Sequence, residues 1–334
     1  MLYFFKLFIL INFSVSALYA EQPELNILTY ASFAGKGSAG AELKTLFEKS
    51  CGCVLKFQLV DNGLALVADL KIAKGNVSSD VILGVDGSSL QVISSFVQEI
   101  SVTDKVFFNS TLSEKTWENF VPIDFSFLTF IVDTRKVKKI PKSWREILDS
   151  WDFNEKIILQ DPRSSTPGFG LLLSLQAIFN DNLEAQLKKL KKLTLTVGKG
   201  WSETYGLFTK GESWFVWSYT SSESYHRSHG DETNYKALYL DEGHLMQTEY
   251  VGILKRAKNK NLALDFVKFL TTPSAQKIIA EKNWMLPVNL QARPLITKKA
   301  LLDQKEPARI FKVEPQQISS AGKKELVDKW LKTF

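Results

Sequence analysis

Short apolar runs alternate with amphipathic segments along the chain from residue 25 onwards. Apolar runs bounded by turn residues predict strands, whereas apolar positions spaced three and four residues apart predict helices. In the first part of the chain the predicted strands are 25–30, 54–60 and 80–84, and the predicted helices are 41–49, 64–73 and 89–97. This alternation is typical of βαβ units around a mostly parallel sheet.

A long apolar run, 120–132, interrupts the alternation and predicts a strand that crosses into a second lobe. Beyond it the predicted strands are 156–160, 193–197 and 214–219, and the predicted helices are 168–179 and 203–209. A second crossover strand is predicted at 245–254, followed by helices at 261–270, 274–281 and 323–332. We therefore expect an α/β fold with a first lobe of 24–122 plus 252–334, a second lobe of 123–251, and a hinge of two crossover strands beside an interlobe ligand cleft.

The beginning of the chain has the pattern of a signal peptide, which we predict over 1–20. Lys6 is followed by an apolar run that is too short to span a membrane comfortably, and small residues lead to Ala20. We expect cleavage after Ala20, with Ala17 as the alternative. An uncleaved anchor is disfavoured, because the polar segment 21–24 ends the run abruptly. The mature protein is thus expected to be exported to the periplasm and not to span a membrane.

Charge and cysteine content narrow the range of functions further. The net charge is +6, but the basic residues are dispersed and form no stripe with interleaved aromatic residues, so we expect no nucleic-acid partner. Cys51 and Cys53 flank Gly52, and in an oxidising compartment a disulfide between them is the favoured interpretation. A metal site would need further ligands at workable spacing, and the three histidines lie far away in the sequence.

Hydroxyl residues follow three predicted strands of the second lobe. Thr166 is the predicted N-cap of one helix, with Pro167 at its first position, and Ser202 is the predicted N-cap of another, with Trp201 at its mouth. The third strand ends in the hydroxyl run 218–222. Because helix N-termini favour anions and polar oxygens, we expect these three segments to form one polar pocket with two aromatic residues beside it.

The first lobe offers Tyr30 at a strand end and the turn Asp61-Asn62-Gly63, while Trp284 lies beside Asn283 ahead of a Pro-containing loop. Any one of these aromatic residues is more often part of a core than of a site. Aromatic walls together with polar helix ends suit a flat, cationic ligand, with or without a phosphate. We expect no catalytic residue, no metal and no cofactor.

The sequence resembles the thiamine-binding periplasmic proteins of bacterial ABC importers, a branch of the two-lobed class II solute-binding proteins. The resemblance covers nearly the whole mature chain. It is carried by the segments 28–33, 51–53, 80–86, 120–124, 160–168, 199–203, 205–208, 210–213, 218–220, 242–244 and 283–285.

The resemblance implies capture of thiamine, thiamine monophosphate or thiamine diphosphate and delivery to a membrane permease. It implies that Tyr30 and Trp284 enclose the ligand rings, that Trp201 and Tyr219 border the thiazolium, and that Asn62 and Gly63 contact the pyrimidine. The residues implied to hold a hydroxyl or phosphate are Ser165, Thr166, Thr220, Ser221 and Ser222. Weaker candidates are Asp61, Ser164, Tyr225, Asn283 and Asp124, the last of which is equally a hinge residue.

Two positions depart from the family pattern. Ala31 and Asn62 stand where the family carries acidic residues, and such residues would complement a cation or an amino group. Asp61, one residue before Asn62, is expected to supply the acidic group that Asn62 lacks. This difference leaves the choice between free and phosphorylated thiamine open.

Three other functions fit the same fold. A thiaminase-like enzyme would need a reactive, exposed thiolate, and the adjacent Cys51 and Cys53 are poor candidates. An iron binder would use Tyr219 and Tyr225, but no acid and histidine set accompanies them. A polyamine binder would require several carboxylates among its aromatic residues.

Overall fold

The computed structural model describes residues 22–100, 118–231, 233–312 and 319–334. The predicted signal peptide, 1–20, lies outside these residues. Within the described ranges, none of the helices combines the length and the apolar character needed to cross a bilayer.

The first lobe begins with three parallel strands and the helices that connect them. In chain order the elements are β1 Glu24–Tyr30, α1 Ala31–Ala34, α2 Ala39–Cys51, β2 Val54–Val60, α3 Gly63–Ile72, β3 Val81–Asp86 and α4 Leu90–Ile93. Strand β1 pairs in parallel with both β2 and β3. The prediction of one helix over 89–97 is wrong, since α4 is a single turn between two 3₁₀ turns. Serine hydroxyls there compete for backbone groups, as when Ser94 Oγ donates to the carbonyl of Gln91.

The second lobe repeats this arrangement. Its elements are β4 Val121–Asp133, α5 Trp144–Leu148, β5 Ile157–Gln160, α6 Thr166–Phe179, α7 Leu183–Leu193, β6 Thr194–Gly198, α8 Trp201–Thr209, β7 Phe215–Tyr219, α9 Ser221–Ser228, β8 Tyr235–Ala237 and β9 His244–Ile253. Strand β5 pairs in parallel with β6 and β7. Helices α5 and α7 and strand β8 are additions to the predicted elements.

After β9 the chain continues through helices and short strands that contact both lobes. These elements are α10 Lys260–Leu270, α11 Pro273–Asn283, β10 Leu286–Pro287, α12 Lys299–Leu302, β11 Ile310–Lys312 and α13 Ser320–Thr333.

Strands β4 and β9, hereafter the crossing strands, join the two lobes. The main strand order is β2-β1-β3-β9-β4-β7-β5-β6. Strand β9 runs antiparallel to β3 and to β4, and β4 runs antiparallel to β7. The predicted crossovers 120–132 and 245–254 therefore correspond to β4 and β9, which place one set of parallel strands on each side of them.

Two large groups of buried side chains form the cores. The first includes Phe33, Phe47 and Phe266, and the second includes Trp144 and Trp217. The lobe boundaries at 122/123 and 251/252 remain a prediction.

Helix α13 requires a correction to the predicted domains, which assigned all of 252–334 to the first lobe. Leu326 and Trp330 of α13 are buried in the second core, where the helix packs against α6 and α7. An apolar helix face can be buried against either core, so the position of α13 in the sequence does not decide which lobe it joins.

Candidate functional site

Three carboxylates meet at the centre of the sheet, and we call Asp86, Asp124 and Glu249 the acidic cluster. Glu249 on β9 is the register partner of Asp124 on β4 and also of Asp86 at the end of β3. Their exposed fractions are only 7% for Asp86, 0% for Asp124 and 9% for Glu249. Carboxylates at this depth are costly unless they are paired or protonated.

Tyr30 and Asn283 supply hydrogen bonds to this cluster from the first lobe. Tyr30 Oη donates to Glu249 Oε2 at 2.7 Å, and Asn283 Nδ2 donates to Asp124 Oδ2 at 2.9 Å and to Tyr30 Oη at 3.2 Å. Asp124 Oδ1 is buried and has no hydrogen-bond partner among the described residues. The site is therefore only partly satisfied by the protein.

Burial controls the protonation of these groups. It raises the pKa of Asp124 to about 7. Burial, together with the nearby charge of Asp124, raises the pKa of Glu249 well above its ordinary value. The pKa of Tyr30 is raised well above its ordinary value by burial and by Glu249, so its phenol stays protonated and donates.

Tyr219 approaches the same carboxylates from the second lobe. Its hydroxyl accepts a hydrogen bond of 2.8 Å from Gln247 Nε2, and its pKa is raised well above the ordinary value by burial and by the charge of Glu249. Two predicted aromatic residues, one from each lobe, thus lie around Glu249. The ring of Tyr30 also lies directly over Gly84, where a Cβ atom would overlap the ring, so this position requires glycine.

The start of α6 carries the predicted hydroxyl residues Ser165 and Thr166. The N-cap of the helix is Ser165, so the prediction that Thr166 is the N-cap was wrong. Ser165 has the extended backbone that a capping residue needs, and its Oγ accepts from the N–H of Gly168 at 3.3 Å. Thr166 is the first helical residue, and its Oγ1 is buried without a hydrogen-bond partner among the described residues. The Thr166 hydroxyl is therefore a buried polar group that the described residues leave unsatisfied.

The starts of α3 and α6 come from different lobes and contact each other. A Cβ atom added to Gly63 would lie 2.9 Å from Thr166 Oγ1 and 2.9 Å from the carbonyl oxygen of Gly84. Asn62 is the N-cap of α3, and its Oδ1 accepts from the N–H groups of Leu64 at 3.0 Å and Ala65 at 3.2 Å. The structure thus brings together the predicted residues Asn62, Gly63 and Thr166. The side-chain oxygen of Asn62 is already hydrogen-bonded to backbone N–H groups of α3.

Two weaker candidates lie at the margin of these turns. Asp61 is exposed, and Ser164 Oγ donates to the carbonyl of Lys199 at 2.7 Å. Ser164 thus ties the turn before α6 to the turn before α8.

Trp201 is the first residue of α8, and the structure fixes its indole on two sides. Nε1 donates to Ser218 Oγ at 2.7 Å, and the ring stacks on Tyr205 with centroids 4.8 Å apart and planes inclined by 21°. The prediction that Ser202 caps this helix was wrong. The N-cap is Gly200, two residues before Ser202. Its backbone is extended, and Trp201 is the first helical residue.

Five hydroxyl residues surround the start of α9, and each has a partner. We call this the hydroxyl cluster; it consists of Ser126, Ser218, Thr220, Ser221 and Ser222. Ser218 and Ser222 are hydrogen-bonded at 2.9 Å, and Ser126 donates to Ser221 at 3.0 Å. Thr220 Oγ1 accepts from Gln304 Nε2 at 2.8 Å, so a residue near the end of the chain occupies this predicted ligand-binding hydroxyl.

Trp284 lies across from α9 at the end of α11. It has left-handed backbone dihedrals, with φ of 54°, and its ring contacts Tyr225 at 5.3 Å and His229 at 5.5 Å between centroids. Its link to Tyr30 runs through the neighbouring residue Asn283 rather than through ring contact. Trp284 and Tyr225 therefore form a separate aromatic contact between the returning helices and α9.

Sequence reasoning missed Glu249, Gln247 and Lys323. The signal for Glu249 was an acid within an otherwise buried strand, 244–253. Lys323 of α13 donates to Ser88 Oγ at 3.3 Å and to Ser89 Oγ at 3.2 Å, and its ammonium lies 5.0 Å from the ring centre of Phe169. It thus bridges a turn of the first lobe and a helix of the second, beside Asp86.

Cys51 and Cys53 form a disulfide bond at the end of α2, far from these groups in the sequence. In the part of the chain that the structure describes, no group of three or more His, Cys, Asp or Glu residues is arranged to hold a metal ion.

The chain matches the family model of the bacterial extracellular solute-binding proteins over residues 44–304. It belongs to this family. The solute-binding protein is 37% identical over 317 residues to the thiamine-binding periplasmic protein of Salmonella typhimurium, covering 92% of this chain and 93% of the relative. It is 36% identical over 312 residues to the thiamine-binding periplasmic protein of Escherichia coli, covering 92% and 93%.

A solved structure described as a periplasmic thiamin binding protein is also similar. It has a TM-score of 0.86 and 34% identity, and the match covers 93% of this chain and 96% of the other. The predicted family and the two-lobed α/β fold of a periplasmic binding protein are confirmed. The solute-binding protein is thus a periplasmic binder.

Proposed function

We propose that this solute-binding protein captures thiamine in the periplasm and delivers it to the permease of an ABC importer. The observation that carries the proposal is that phenols from opposite lobes bind neighbouring side chains of β9: Tyr30 donates to the buried carboxylate of Glu249, and Tyr219 accepts from Gln247, two residues earlier on the strand. Such a surface suits a flat cationic heterocycle. Relatives named for thiamine binding match more than nine tenths of the chain, and they support the choice of heterocycle.

The predicted site residues offer two environments to the ligand, an aromatic one for its rings and a polar one for its hydroxyl or phosphate end. A desolvated cation–π contact contributes about 2 kcal/mol, and a hydrogen bond to a charged group contributes roughly 1.5–3 kcal/mol. We propose that Tyr30, Tyr219, Trp201 and Trp284 border the rings. The hydroxyl or phosphate end would lie at the starts of α6 and α9, where Thr166 Oγ1 lacks a partner among the described residues. Thiamine monophosphate and diphosphate are therefore included in the proposal.

Ligand release and delivery require the lobes to separate. The starts of α3 and α6 contact each other through Gly63 and Thr166, so a ligand held between the lobes would be enclosed in this arrangement. We propose that separation about the crossing strands opens the cleft, and that the closed form is the one that docks on the permease.

Binding without catalysis is the favoured reading of this site. A thiaminase-like reaction would use a cysteine thiolate, and both cysteines of the chain are joined in a disulfide. Incubation of thiamine with the pure protein should leave the vitamin intact, as measured by chromatography. Loss of thiamine in proportion to protein would contradict this reading.

The proposal is tested by equilibrium dialysis of the mature protein against thiamine, its two phosphates, ferric iron and spermidine. We expect thiamine or a thiamine phosphate to bind with micromolar or better affinity, and iron and spermidine to bind at least about a hundredfold more weakly. Mass spectrometry of the small molecules that co-purify with the protein gives an independent readout. Binding of iron or spermidine in preference to all three thiamine forms would refute the proposal.

A further inference from the structure

Asp124 and Glu249 are buried carboxylates without a cationic partner. None of the ion pairs among the described residues includes either of them. Asp86, the third member of the acidic cluster, differs, because it accepts from Ser88 Oγ at 2.8 Å and Lys323 lies close to it. Asp124 and Glu249 are therefore the two members of the acidic cluster that have no cationic partner among the described residues.

We propose that Asp124 and Glu249 select a positively charged ring, which on binding displaces a proton held by the two carboxyl groups. The inference rests on the proposed function for the identity of the ligand, thiamine, whose thiazolium carries a fixed positive charge. It assigns charge recognition to residues that lie on the crossing strands, and not to the turns before the helices.

The geometry forces the two carboxyl groups to interact. Asp124 and Glu249 are direct register partners on adjacent antiparallel strands, so their Cα atoms lie about 5 Å apart. The pairing shifts between Pro122 and Asp124, and such a bulge turns a side chain away from its regular direction. Two carboxylates this close in a buried sheet do not both ionise readily unless a cation is present.

The surrounding groups supply hydrogen bonds but little positive charge. Tyr30 bonds to Glu249 from β1, Asn283 bonds to Asp124 from α11, and Tyr219 on β7 bonds to Gln247 and lies within electrostatic range of both carboxyl groups. Asp86 on β3 adds negative charge to the site. The sole lysine that the described contacts bring near is Lys323, whose ammonium is bound to Ser88 and Ser89.

Asp124 has a free acceptor for a ligand. Its Oδ2 is taken by Asn283, whereas Oδ1 has no partner among the described residues although the side chain is fully buried. Burial raises the pKa of Asp124 to about 7, which is consistent with a proton retained near neutral pH when no cation is bound. A cation beside the pair favours the ionised form, so binding should release that proton.

Calorimetric titration of the mature protein with thiamine and with 3-deazathiamine tests the proposal. The second ligand has the same shape and the same aminopyrimidine, but its thiophene ring is neutral. At pH 8 the wild-type protein should bind thiamine about tenfold to a hundredfold more tightly than 3-deazathiamine. The double variant Asp124→Asn plus Glu249→Gln should bind the two ligands within about twofold of each other, since both substituted side chains are neutral.

Proton release gives a second readout. Thiamine affinity should rise as the pH is raised from 6 to 8, and titrations in two buffers of different ionisation enthalpy should report a proton released on binding. The affinity for 3-deazathiamine should change much less over the same range. Each single variant, Asp124→Asn or Glu249→Gln, should reduce both the thiamine preference and the proton release.

Asp241→Asn is the matched control. Asp241 is an exposed carboxylate in the loop before β9, so the variant loses the same charge outside the cluster and should retain the thiamine preference. Circular dichroism checks that each variant is folded, and the single variants decide the test if the double variant does not fold. Failure of the wild-type protein to bind thiamine would end both proposals. Thiamine binding with an equal affinity for 3-deazathiamine, or a preference retained in Glu249→Gln, would overturn this inference and leave the proposed function intact.

Discussion

The acidic cluster and the hydroxyl cluster lie on neighbouring strands, but they differ in how their polar groups are satisfied. The hydroxyls around the start of α9 bond to one another, to the Trp201 indole and to Gln304. In the acidic cluster, Asp124 keeps an oxygen without a partner among the described residues, and Asp124 and Glu249 lack a countercharge. The comparison indicates that one side of the cleft is complete without a ligand and the other is not.

The incomplete side should therefore dominate affinity, and the complete side should mainly keep the aromatic rings in place. Buried polar groups that are fully paired contribute rigidity, whereas an unpaired buried charge gives a bound cation a large advantage. The following substitutions separate the two contributions, from the largest expected effect to the smallest.

Tyr30→Ala should cause the largest loss, reducing thiamine affinity by about a hundredfold or more. The variant removes a ring that lies over Gly84 and also the hydrogen bond to Glu249. Tyr30→Phe keeps the ring and should lose about tenfold or less. Calorimetry of both variants gives the comparison, and equal losses would show that the ring itself is unimportant.

Gly63→Ala should weaken thiamine binding by about tenfold, since the added Cβ would lie 2.9 Å from Thr166 Oγ1 and oppose closure of the lobes. Thr166→Ala in the same chain removes one of the two close atoms and should recover part of the loss. Gly206→Ala is the control, because outside the local backbone of α8 no described atom lies within 4 Å of a Cβ at that position. Small-angle scattering with and without thiamine measures closure directly, and normal closure in Gly63→Ala would contradict the argument.

Ser218→Ala should have a smaller effect, about two- to fivefold on thiamine affinity. It deprives the Trp201 indole of its acceptor while the stacking on Tyr205 remains. Ser224→Ala on α9 is the control, because it removes a buried hydroxyl that bonds to the Ala300 carbonyl and to Gln304 but not to Trp201, and it should leave the affinity unchanged. If the two serine variants behave alike in titrations, the orientation of Trp201 is independent of Ser218.

The smallest expected change is in the stability of the ligand-free protein. Between pH 5.5 and 7.5 the Tm of the wild-type protein should fall by about 3 °C more than the Tm of the Asp124→Asn variant. Burial raises the folded-state pKa of Asp124 from 3.8 to about 7, so the folded protein holds a proton that the unfolded chain has released. The corresponding stabilisation is complete below the unfolded pKa and is lost as the pH rises towards the folded value. Differential scanning calorimetry of both proteins gives the difference, and parallel Tm curves would exclude this role for Asp124.

Most elements of the fold could be predicted from local patterns. Strand β2 was predicted with its observed bounds, 54–60, and both crossing strands were predicted within one residue of their bounds, the first of them as a long apolar run. The aromatic candidates and the hydroxyls at helix starts were also visible, because capping residues and strand ends leave signals within a few residues. The capping positions of α6 and α8 were each misplaced. At α6 the neighbouring hydroxyl residues Ser165 and Thr166 are equivalent caps until the backbone is known, and at α8 the cap is a glycine, Gly200, which has no side chain to mark it.

The acidic cluster could not be found in this way. Asp86, Asp124 and Glu249 are separated by long stretches of chain, and their proximity depends on the pairing of β9 with β3 and β4. A shift of the register by one residue would turn each side chain to the other face of the sheet. The placement of α13 against the second lobe is of the same kind, because an apolar face does not specify which of two cores it joins.

The amino-acid sequence by itself determined the alternating elements, the two crossing strands, the family, and which aromatic and hydroxyl residues stand at strand ends, since each of these depends on spacing along a single segment. The tertiary structure alone decided that Glu249 lies opposite Asp124, that Tyr30 and Tyr219 bond to Glu249 and Gln247 of β9 from different lobes, and that Lys323 bridges the lobes. These contacts join segments far apart in the chain, and burial, which sets their charge and energy, exists only after the segments have packed together.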